Sequence, residues 1–381
     1  MPTEIPVFAG HSGSLLDFDF NPFHDNLIAT GSEDTTIKVW EIPEGGLTEN
    51  ITTPVQNLSD HSKKVTFLRF HPTADNVLGS TGGDQTVKIW DIEKGLTISN
   101  LADSCDQLIQ DLVWDYTGKE YAFSCKDKAV RLVDARSATV ISKIDNAHDG
   151  AKSIKLTYLG SHDKLFSVGF TRQAHRQYKI WDPRNTSTEL IKEEVDQAAG
   201  VIMPFFDADT NLLYLTGKGD GNVRFYEFVN GILYTLSDFR SSVSAKGMAF
   251  VPKRGLNVMA CETARLLKLT NSSPNSVDPL SFFVPRKAEG FQEDLYPDTS
   301  GGEASHTADA WIQGSELPPK LTSLNPSLKG PASGASAKAE PSRASFTALK
   351  TPAVLMDELL KAQARIKKLE DLLTAKGIPF D

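Results

Sequence analysis

The sequence predicts an all-β fold, a β-propeller of WD40-type repeats with six complete blades. In four segments an Asp lies six residues before a large apolar or aromatic residue, directly after a short turn. The first three markers are 50 and 43 residues apart and the fourth follows after 93, about two such intervals, and a fixed offset at such a period indicates a repeat protein. Between them, apolar and polar residues alternate in short runs typical of strands. The four pairs are Asp34 with Trp40, Asp84 with Trp90, Asp127 with Val133, and Asp220 with Tyr226.

The first repeat assigns four short strands to each blade. After Gly10 and His11, the run LLDFDFNP alternates as a strand does, and LIATGSED forms a second strand that ends in a turn. TIKVWEI gives the third strand, and residues 54–58 give the outer fourth. The second repeat follows the same order after His61. Four antiparallel strands per repeat make one propeller blade.

The later repeats are degenerate but keep the spacing. His175 takes the place of the Asp in the fourth repeat, and the sixth, NVMACETARLLKL, has lost the signature. Blades need stacking neighbours, so we expect one propeller over residues 1–285, with six blades between about residues 10 and 285. The markers in the third strands are Trp40, Trp90, Val133, Trp181, Tyr226 and Leu269.

The recurring Asp is predicted to be structural. An Asp in the tight turn between the second and third strands can accept hydrogen bonds from backbone amides and from His. With a Ser or Thr, the His and Trp of the same repeat complete a buried hydrogen-bonded chain that is costly to break. Only the structural role repeats, so we expect no catalysis from this network. Its members are His11, Asp34, Trp40, His61, Asp84 and Trp90.

Composition argues against an enzyme, a metal site and a nucleic-acid ligand. Residues 318–381 carry 10 Lys and Arg against 6 Asp and Glu, which leaves 30 against 43 elsewhere, a net charge of −13. Nucleic-acid binding needs a basic face. No phosphate loop, nucleophile motif or metal-ligand spacing occurs, so no catalytic residue, cofactor or metal is predicted. Three cysteines without a metal spacing, no secretory signal and no apolar run of about 18 residues predict a cytoplasmic protein without a transmembrane segment.

The sequence changes character after the last blade. Residues 286–315 lack strand alternation but contain Phe291, Tyr296 and Trp311, which are too apolar for a free linker. We therefore expect an extension packed on the propeller, with a short helix at residues 307–312. Residues 316–352 are rich in Pro, Ser, Ala and Gly and are predicted to be a disordered linker.

Residues 353–378 are predicted to form a short coiled coil. Apolar residues are spaced 4, 3, 4, 3 and 4 apart, which is a heptad seam that ends at Gly377 and Pro379. A lone helix of about 20 residues is marginal in water, so the stripe favours self-association, and docking on its own propeller is the alternative. RIKKLE resembles short trimeric coiled coils, while Ile at a with Leu at d favours dimers, so a trimer is favoured and a dimer is possible. The seam is Leu355, Leu359, Ala362, Ile366, Leu369 and Leu373, flanked by Arg365 and Glu370.

Three segments together resemble the coronins, a family of actin-filament-binding WD-repeat proteins. They are IPEGGLTENITTP at 42–54, MPFFDADTNLLYLTGKGDGNVRFYE at 203–227 and VPRKAEGFQEDLYPDT at 284–299. The last is the most specific, because propeller packing does not require it. The order of propeller, packed extension, linker and short coiled coil is similar as well. The resemblance implies F-actin and the Arp2/3 complex as partners, and a location at cortical actin patches.

The resemblance also implies a seven-bladed ring, one blade more than this sequence shows. The additional blade would precede Met1, and PVFAG at 6–10 is similar to its outer strand. The chain is therefore expected to be either a truncated product or a shorter form that closes differently. An open ring would expose two blade faces and unpaired strand edges.

Actin is acidic, so basic side chains on the propeller are the candidates for contact. The resemblance assigns filament binding to Lys218, Asp220, Arg286 and Lys287. Each has a structural alternative: Asp220 obeys the offset of the turn, Lys218 can be an ordinary surface lysine, and Arg286 or Lys287 can pair with Glu293 or Asp294 to pin the extension. Weaker candidates by charge are Lys63, Lys64, Lys126 and Lys128.

The predicted function is that of a coronin-like protein that bundles or stabilises F-actin and regulates Arp2/3-dependent actin organisation through an oligomerising tail. The alternative is a substrate receptor of a cullin-type ubiquitin ligase, because WDPR at 181–184 resembles the WDxR box used for adaptor docking. This alternative leaves residues 284–299 and the coiled coil unexplained.

Overall fold

Six antiparallel sheets follow one another along the chain, and each is formed by consecutive strands in meander order. The computed structural model describes residues 5–270, 276–287 and 290–328. Sheets one to three contain β1 Leu15–Phe20, β2 Leu27–Ser32, β3 Ile37–Glu41 and β4 Gln56–Leu58; β5 Val65–Phe70, β6 Val77–Gly82, β7 Val87–Asp91 and β8 Leu96–Leu101; β9 Ile109–Trp114, β10 Glu120–Cys125, β11 Val130–Asp134 and β12 Thr139–Ile144. Sheets four to six contain β13 Lys155–Tyr158, β14 Leu165–Phe170, β15 Arg176–Trp181 and β16 Ile191–Asp196; β17 Ile202–Asp207, β18 Leu212–Gly217, β19 Val223–Val229 and β20 Ile232–Phe239; β21 Ala245–Phe250, β22 Glu262–Thr270 and β23 Val277–Phe283.

The predicted β-propeller of six blades is confirmed, with one difference in the last blade. Blades 1 to 5 have four strands each, whereas blade 6 has three. After β23 the chain does not return as a fourth strand but leaves along one face of the propeller. The degenerate sixth repeat therefore keeps the inner part of a blade and omits its outer edge.

The inner strands lie side by side and are joined through buried or partly buried carboxylates. Asp17 and Asp19 of β1 accept hydrogen bonds from the backbone amides of Leu68 and Phe70 in β5, at 3.0 and 2.7 Å. Asp111 of β9 likewise accepts from the amide of Leu156 in β13 at 2.9 Å. The innermost strand of a blade is paired with another strand on one side only. These carboxylates therefore accept hydrogen bonds from amides on its other side that would otherwise be buried without a partner. The alternation in LLDFDF thus directs its Asp residues toward blade 2.

The other side of that alternation is exposed. Phe18 and Phe20 of β1 are 57% and 49% exposed, and their rings contact each other edge-on at 6.3 Å. Blade 6 likewise exposes one side of its sheet, including Val277 and Phe283 at 58% and 55%. Between successive blades the equivalent side chains are buried in the blade–blade cores, as with Tyr178 and Tyr226. On the described residues, the first and last blades therefore each have one uncovered apolar face.

Two faces of the propeller can be distinguished by their loops. The upper face carries the turn between the second and third strands of each blade and the leading loop that runs into its first strand. The lower face carries the two remaining turns of each blade. In β1 the chain runs from the upper to the lower face, and the first strands of all the remaining blades run in the same direction.

The extension after blade 6 packs across the lower face. Tyr296, which is 3% exposed, donates a hydrogen bond to the carbonyl of Glu262 at 2.9 Å. Further along, the amide of Ser305 donates to the carbonyl of Thr73 in blade 2 at 2.8 Å. The helix predicted at residues 307–312 is confirmed as α1, Ala308–Ile312, and the hydroxyl of Thr307 caps its N-terminus by accepting from Ala310. The extension therefore connects blade 6 with blades 2 and 3.

The predicted start of the linker at residue 316 differs from the structure. Glu316 forms ion pairs with Lys119 and Arg136 at 3.4 and 3.1 Å. Strand β25, Leu321–Thr322, pairs with β24, Thr299–Ser300, and Leu324 is 5% exposed. These residues are rich in Pro and Ser, and this composition suggested a flexible tether. A few apolar and acidic side chains are nevertheless enough to order the segment, because the surface of the propeller lies beside them. The remaining predicted linker and the coiled coil lie outside the described residues.

Two buried histidines give the fold a pH dependence. His71 is fully buried, and its Nδ1 accepts hydrogen bonds from the amides of Thr73 and Ala74 at 3.1 and 2.8 Å while its Nε2 donates to the carbonyl of Gly118. In His148, Nδ1 accepts from the amide group of Gln177 at 3.0 Å. Each ring is thus neutral, and burial lowers the pKa of both to about 3.

We expect the free energy of unfolding to fall as the pH drops from about 6.5 toward 3. The unfolded chain binds protons on these histidines near the ordinary pKa of 6.5, whereas the folded chain does not, so stability is complete above that value and is lost below it. The slope should approach roughly 1.4 kcal/mol per pH unit for each histidine. Urea unfolding at a series of pH values measures it. The slope should be smaller in His148→Gln, and an equal slope in that variant would contradict the assignment.

Candidate partner-binding face

The upper face is a rigid platform because its turns are hydrogen-bonded to its leading loops. The amides of Glu33, Gly83, Lys126 and Lys218 donate to carbonyls in the leading loops of their own blades, at 2.7–2.9 Å. Neighbouring blades are joined in the same way, since the amide of Ala147 donates to the carbonyl of Lys128 at 2.9 Å. Side chains on such loops are held by the scaffold rather than by their own conformational preferences.

The predicted His–Asp–Trp network is present in blades 1 and 2. In blade 1, His11 Nδ1 is 2.8 Å from the carboxylate of Asp34, and its Nε2 is 2.8 Å from the hydroxyl of Thr30. Trp40 donates its indole N–H to the same hydroxyl at 2.8 Å. His61, Asp84, Ser80 and Trp90 repeat this chain in blade 2, with Trp90 donating to Ser80 at 2.8 Å.

The carboxylates at the upper end of these networks are firmly ionised. Burial raises the pKa of Asp34, but hydrogen bonds from Thr36, His11 and backbone amides outweigh it and hold the pKa well below its usual range. Asp84 is held low for the same reasons, through His61, Ser62 and Thr86. Gly82 makes room for this arrangement, since a Cβ there would overlap the Asp84 carboxylate and the His61 ring. These residues specify the turn and are not free to react.

Blade 4 completes the same network with a different residue. His148 Nε2 lies 2.9 Å from the hydroxyl of Ser167, to which Trp181 also donates at 2.9 Å. Gln177 takes over the role of the carboxylate at His148 Nδ1. His175, which stands at the Asp position in the sequence, instead pairs with Glu194 at 3.1 Å. An Asp at a fixed offset does not reveal this network, because blade 4 has none, although a His ahead of the first strand is a signal for it.

Blade 5 replaces the histidine by an arginine from its neighbour. Arg176 of blade 4, whose side chain is 1% exposed, binds Asp220 at 2.7 Å and Asp196 through two bonds of 2.6 Å. Arg224 also pairs with Asp196. Asp220 is therefore a member of a partly buried ion-pair network between blades and points inward, away from an external partner.

Basic side chains surround the upper face and form a feature that we call the basic collar. Most of them are exposed, and in the described part of the chain the side chains of five have neither an ion pair nor a hydrogen bond: Lys63, Lys64, Lys126, Arg172 and Lys218. Lys128 and Lys152 donate to backbone carbonyls, of Asp149 at 2.6 Å and of Ala199 at 2.5 Å. The basic collar consists of Lys63, Lys64, Lys126, Lys128, Lys152, Arg172, Lys218 and Lys246.

Acidic residues share these loops, and most of them lie further from the first strand, although Asp106 stands three residues before β9 as Lys152 does before β13. Lys64 directly precedes β5, and Lys152 lies three residues before β13, so both lie close to the first strands of their blades. Asp60, Asp103 and Asp145 come earlier in the leading loops, nearer the outer strands. Asp60 is already paired with Lys88 at 2.6 Å. The upper face thus carries accessible cations close to its first strands although the propeller as a whole is acidic.

The lower face shows the opposite arrangement, since most of its cations already have acidic partners. Lys253 pairs with Asp207 at 2.6 Å, and both side chains are almost fully buried. Arg136 and Lys119 bind Glu316 of the extension. Other pairs on this face join Lys94 to Asp309, Lys164 to Asp182, Arg254 to Asp25 and Arg265 to Glu262.

The sequence-predicted contact residues are divided between the two faces. Lys63, Lys64 and Lys218 lie on the upper face with Lys126 and Lys128. Arg286 and Lys287 follow β23 on the lower face, where Arg286 pairs with Asp294 of the extension. No single surface therefore holds all the candidates. Lys152, Arg172 and Lys246 could not be recognised from sequence, because their blades lack a clear repeat signature that would place them beside the others.

Two other features of the described chain are less suited to an acidic partner. A groove of about 560 Å³ between blades 4 and 5 contains Glu193, Glu194 and Asp238, with Arg224 as its basic residue. Arg184 of the WDPR segment is 75% exposed and pairs with Asp182 at 3.1 Å.

Across residues 5–270, 276–287 and 290–328, no group of three His, Cys, Asp or Glu residues is placed to hold a metal ion. Over the same residues no helix is long and apolar enough to cross a membrane.

Comparison with known proteins adds to these observations. Residues 2–41 and 52–91 match the family described as "WD domain, G-beta repeat", and residues 277–319 match a "Type of WD40 repeat". Coronin-A of Dictyostelium discoideum is 48% identical over 324 residues, which are 84% of this chain and 71% of that protein.

Solved structures agree with the fold. The WD40 domain of Toxoplasma gondii coronin superposes with a TM-score of 0.80 at 34% identity, covering 83% of this chain and 82% of that one. A chain of the mitotic checkpoint complex reaches a TM-score of 0.56 at 16% identity over 72% of this chain and 77% of its own, which supports the propeller fold alone.

Proposed function

This chain belongs to the coronin family, and from that premise we propose that it binds actin filaments through the basic collar on its upper face. The observation that carries the proposal is the contrast between the faces: exposed cations without partners stand on the upper face, whereas the cations of the lower face are largely paired. Unpaired cations are available to an acidic filament without first breaking an internal ion pair. They act mainly by steering the encounter and fixing orientation.

The role proposed is that of a non-enzymatic cytoskeletal scaffold. A single propeller domain, called a head here, binds weakly if it relies on exposed charges, because each surface ion pair contributes only about 0.2–1 kcal/mol. The predicted coiled coil would join two or three heads, and joined heads gain avidity on a filament with repeating sites. Bundling or stabilisation of F-actin, an effect on the Arp2/3 complex through the tail, and a location at cortical actin patches belong to the same proposal.

The test is co-sedimentation of the full chain with actin filaments. A variant with Lys63, Lys64, Lys126, Arg172 and Lys218 changed to Ala should bind about fivefold more weakly or worse, since five contacts of roughly 0.2–1 kcal/mol each sum to about 1–5 kcal/mol and about 1.4 kcal/mol is a factor of ten. Its binding should also depend less on salt concentration.

The matched control is the pair of exposed cations on the opposite face. Arg286→Ala with Lys287→Ala removes charge from the lower face and should leave binding unchanged. A further variant exchanges Lys for Arg and Arg for Lys at the five collar positions. It keeps their positive charge and should therefore retain most of the binding of the parent chain. If the collar variant binds like the parent chain while the Arg286 and Lys287 variant loses binding, the filament contacts the lower face and the upper-face assignment is wrong.

A further inference from the structure

In blade 3 a thiol occupies the position of the network histidine of the first two blades, and a second thiol stands in the turn beside it. Cys105 lies four residues before β9, just as His11 and His61 lie four residues before β1 and β5. Cys125 lies two residues before Asp127, at the position that Ser32 and Gly82 occupy in blades 1 and 2. Blade 3 has thus exchanged a hydrogen-bonding histidine for a cysteine that faces a second cysteine.

The backbone holds the two thiols together. Both Sγ atoms donate to the carbonyl oxygen of Gln107, at 3.5 Å from Cys105 and 3.3 Å from Cys125. The leading loop that carries Cys105 is fixed to the turn after β10 by a hydrogen bond of 2.9 Å from the amide of Lys126 to the carbonyl of Leu108. The Cβ atoms of the two cysteines are therefore carried by segments that are already tied to each other.

The pair has one accessible and one protected member. Cys105 is half-buried, while Cys125 is fully buried at the end of β10. The charged groups beside them are Asp127 and Arg131, which pair with each other at 2.6 Å. Interaction with the neighbouring thiol of Cys125 and the positive charge of Arg131 lower the pKa of Cys105 to about 7 against the effect of burial, whereas the interaction with Cys105 and burial raise the pKa of Cys125. The thiolate is the reactive form of cysteine, so Cys105 is the nucleophile of the pair.

We propose that Cys105 and Cys125 form a peroxide-sensitive dithiol that closes to a disulfide within blade 3. The Cys105 thiolate attacks one oxygen of hydrogen peroxide, the O–O bond breaks, and the released hydroxide takes up a proton to leave as water, so Cys105 becomes a sulfenic acid. The Cys125 sulfur then attacks the Cys105 sulfur, the S–O bond breaks, and the second oxygen leaves as water with the Cys125 proton. Two electrons pass from the two thiols to one peroxide. This proposal does not depend on actin binding.

The disulfide would tie the leading loop of blade 3 to the turn that carries Lys126 and Lys128. It would replace the non-covalent His–Asp link of blades 1 and 2 by a covalent one that a reductant can open. Cys261, which is 6% exposed and in blade 6, has no cysteine partner among the described residues and serves as the internal reference.

The experiment treats the full chain with hydrogen peroxide, alkylates the remaining thiols and identifies them by peptide mass. We expect one intramolecular link that joins the peptides of Cys105 and Cys125, a loss of two hydrogens, and full reversal by a dithiol reductant. Cys261 should be alkylated to the same extent before and after peroxide once the chain is unfolded. In Cys125→Ser, a sulfenic-acid probe such as dimedone should label Cys105, because the resolving thiol is gone.

The control variant is Cys261→Ser, which should form the link as the parent chain does. Oxidation of Cys105 to the sulfinic acid without a link in the parent chain would overturn the proposal. So would a peroxide sensitivity of Cys105 no greater than that of Cys261.

Discussion

Replacing Trp311 with Ala is expected to destabilise the chain by about 3–5 kcal/mol and to release the extension from the lower face. Trp311 is fully buried although it belongs to a helix of only five residues. Such a helix cannot form on its own propensity, so tertiary packing must hold it. Its ring lies 4.9 Å from that of His71 and 6.4 Å from that of Trp114, so it joins blades 2 and 3.

The contacts of Arg136 make Trp311 more important than its area alone suggests. The guanidinium group lies over the indole ring at 5.1 Å, and its Nε donates to the carbonyl of Trp311 at 2.6 Å. Arg136 also donates to the carbonyl of Ser315 and pairs with Glu316. Loss of the indole would therefore loosen the interactions that order residues 315 and 316 as well.

Urea unfolding and limited proteolysis measure the two consequences separately. Trp311→Phe should cost less, because a ring remains and the indole N–H has no hydrogen-bond partner among the described residues to lose. Ile312→Ala changes the neighbouring residue, which is 40% exposed, and should be nearly neutral. If Trp311→Ala unfolds at the urea concentration of the parent chain and resists proteolysis equally, the extension is not anchored at this point.

The sequence could predict the blades because each one repeats a local pattern. The alternation of a strand and the offset from Asp34 to Trp40 or from Asp84 to Trp90 involve residues that are close together in the chain. Both can therefore be recognised in the amino-acid sequence. The partners of Asp220 could not be found in this way. Its ion-pair partner Arg176 is 44 residues away in another blade, and a single sequence does not show which distant residues form a pair.

The position of the extension illustrates the same limit. Tyr296 and Trp311 were recognisable as residues that must be buried, because large aromatic side chains in an otherwise polar segment need a partner. Which face they cover depends on where β23 ends, and a repeat count does not give that. The basic collar was likewise visible only in part, since Arg172 and Lys152 come from the degenerate fourth blade. The faces had to be seen before paired cations could be told from unpaired ones.

Replacing Arg176 with Leu is expected to cost about 3–5 kcal/mol, because it leaves carboxylates without their buried partner. The guanidinium group binds Asp196 through two oxygens, Asp220 at 2.7 Å and the carbonyl of Gly200 at 3.2 Å. Arg224 can still neutralise Asp196, so Asp220 is the group that would lose its only described ion-pair partner. Gly217 adds to the constraint, since a Cβ there would overlap both Arg176 and Asp220.

This network also decides between the two roles of Asp220. If Asp220 holds the blade 5 turn through Arg176, Asp220→Asn should lower the free energy of unfolding while Lys218→Ala, two residues away and exposed, leaves it unchanged. Actin co-sedimentation should respond in the reverse order, with Lys218→Ala weakening binding and Asp220→Asn affecting it only as far as the chain unfolds. A loss of binding by Asp220→Asn at unchanged stability would make Asp220 a contact residue and would contradict the structural role. The expected result follows from charge, because an acidic filament gains nothing from a carboxylate that a buried arginine already neutralises.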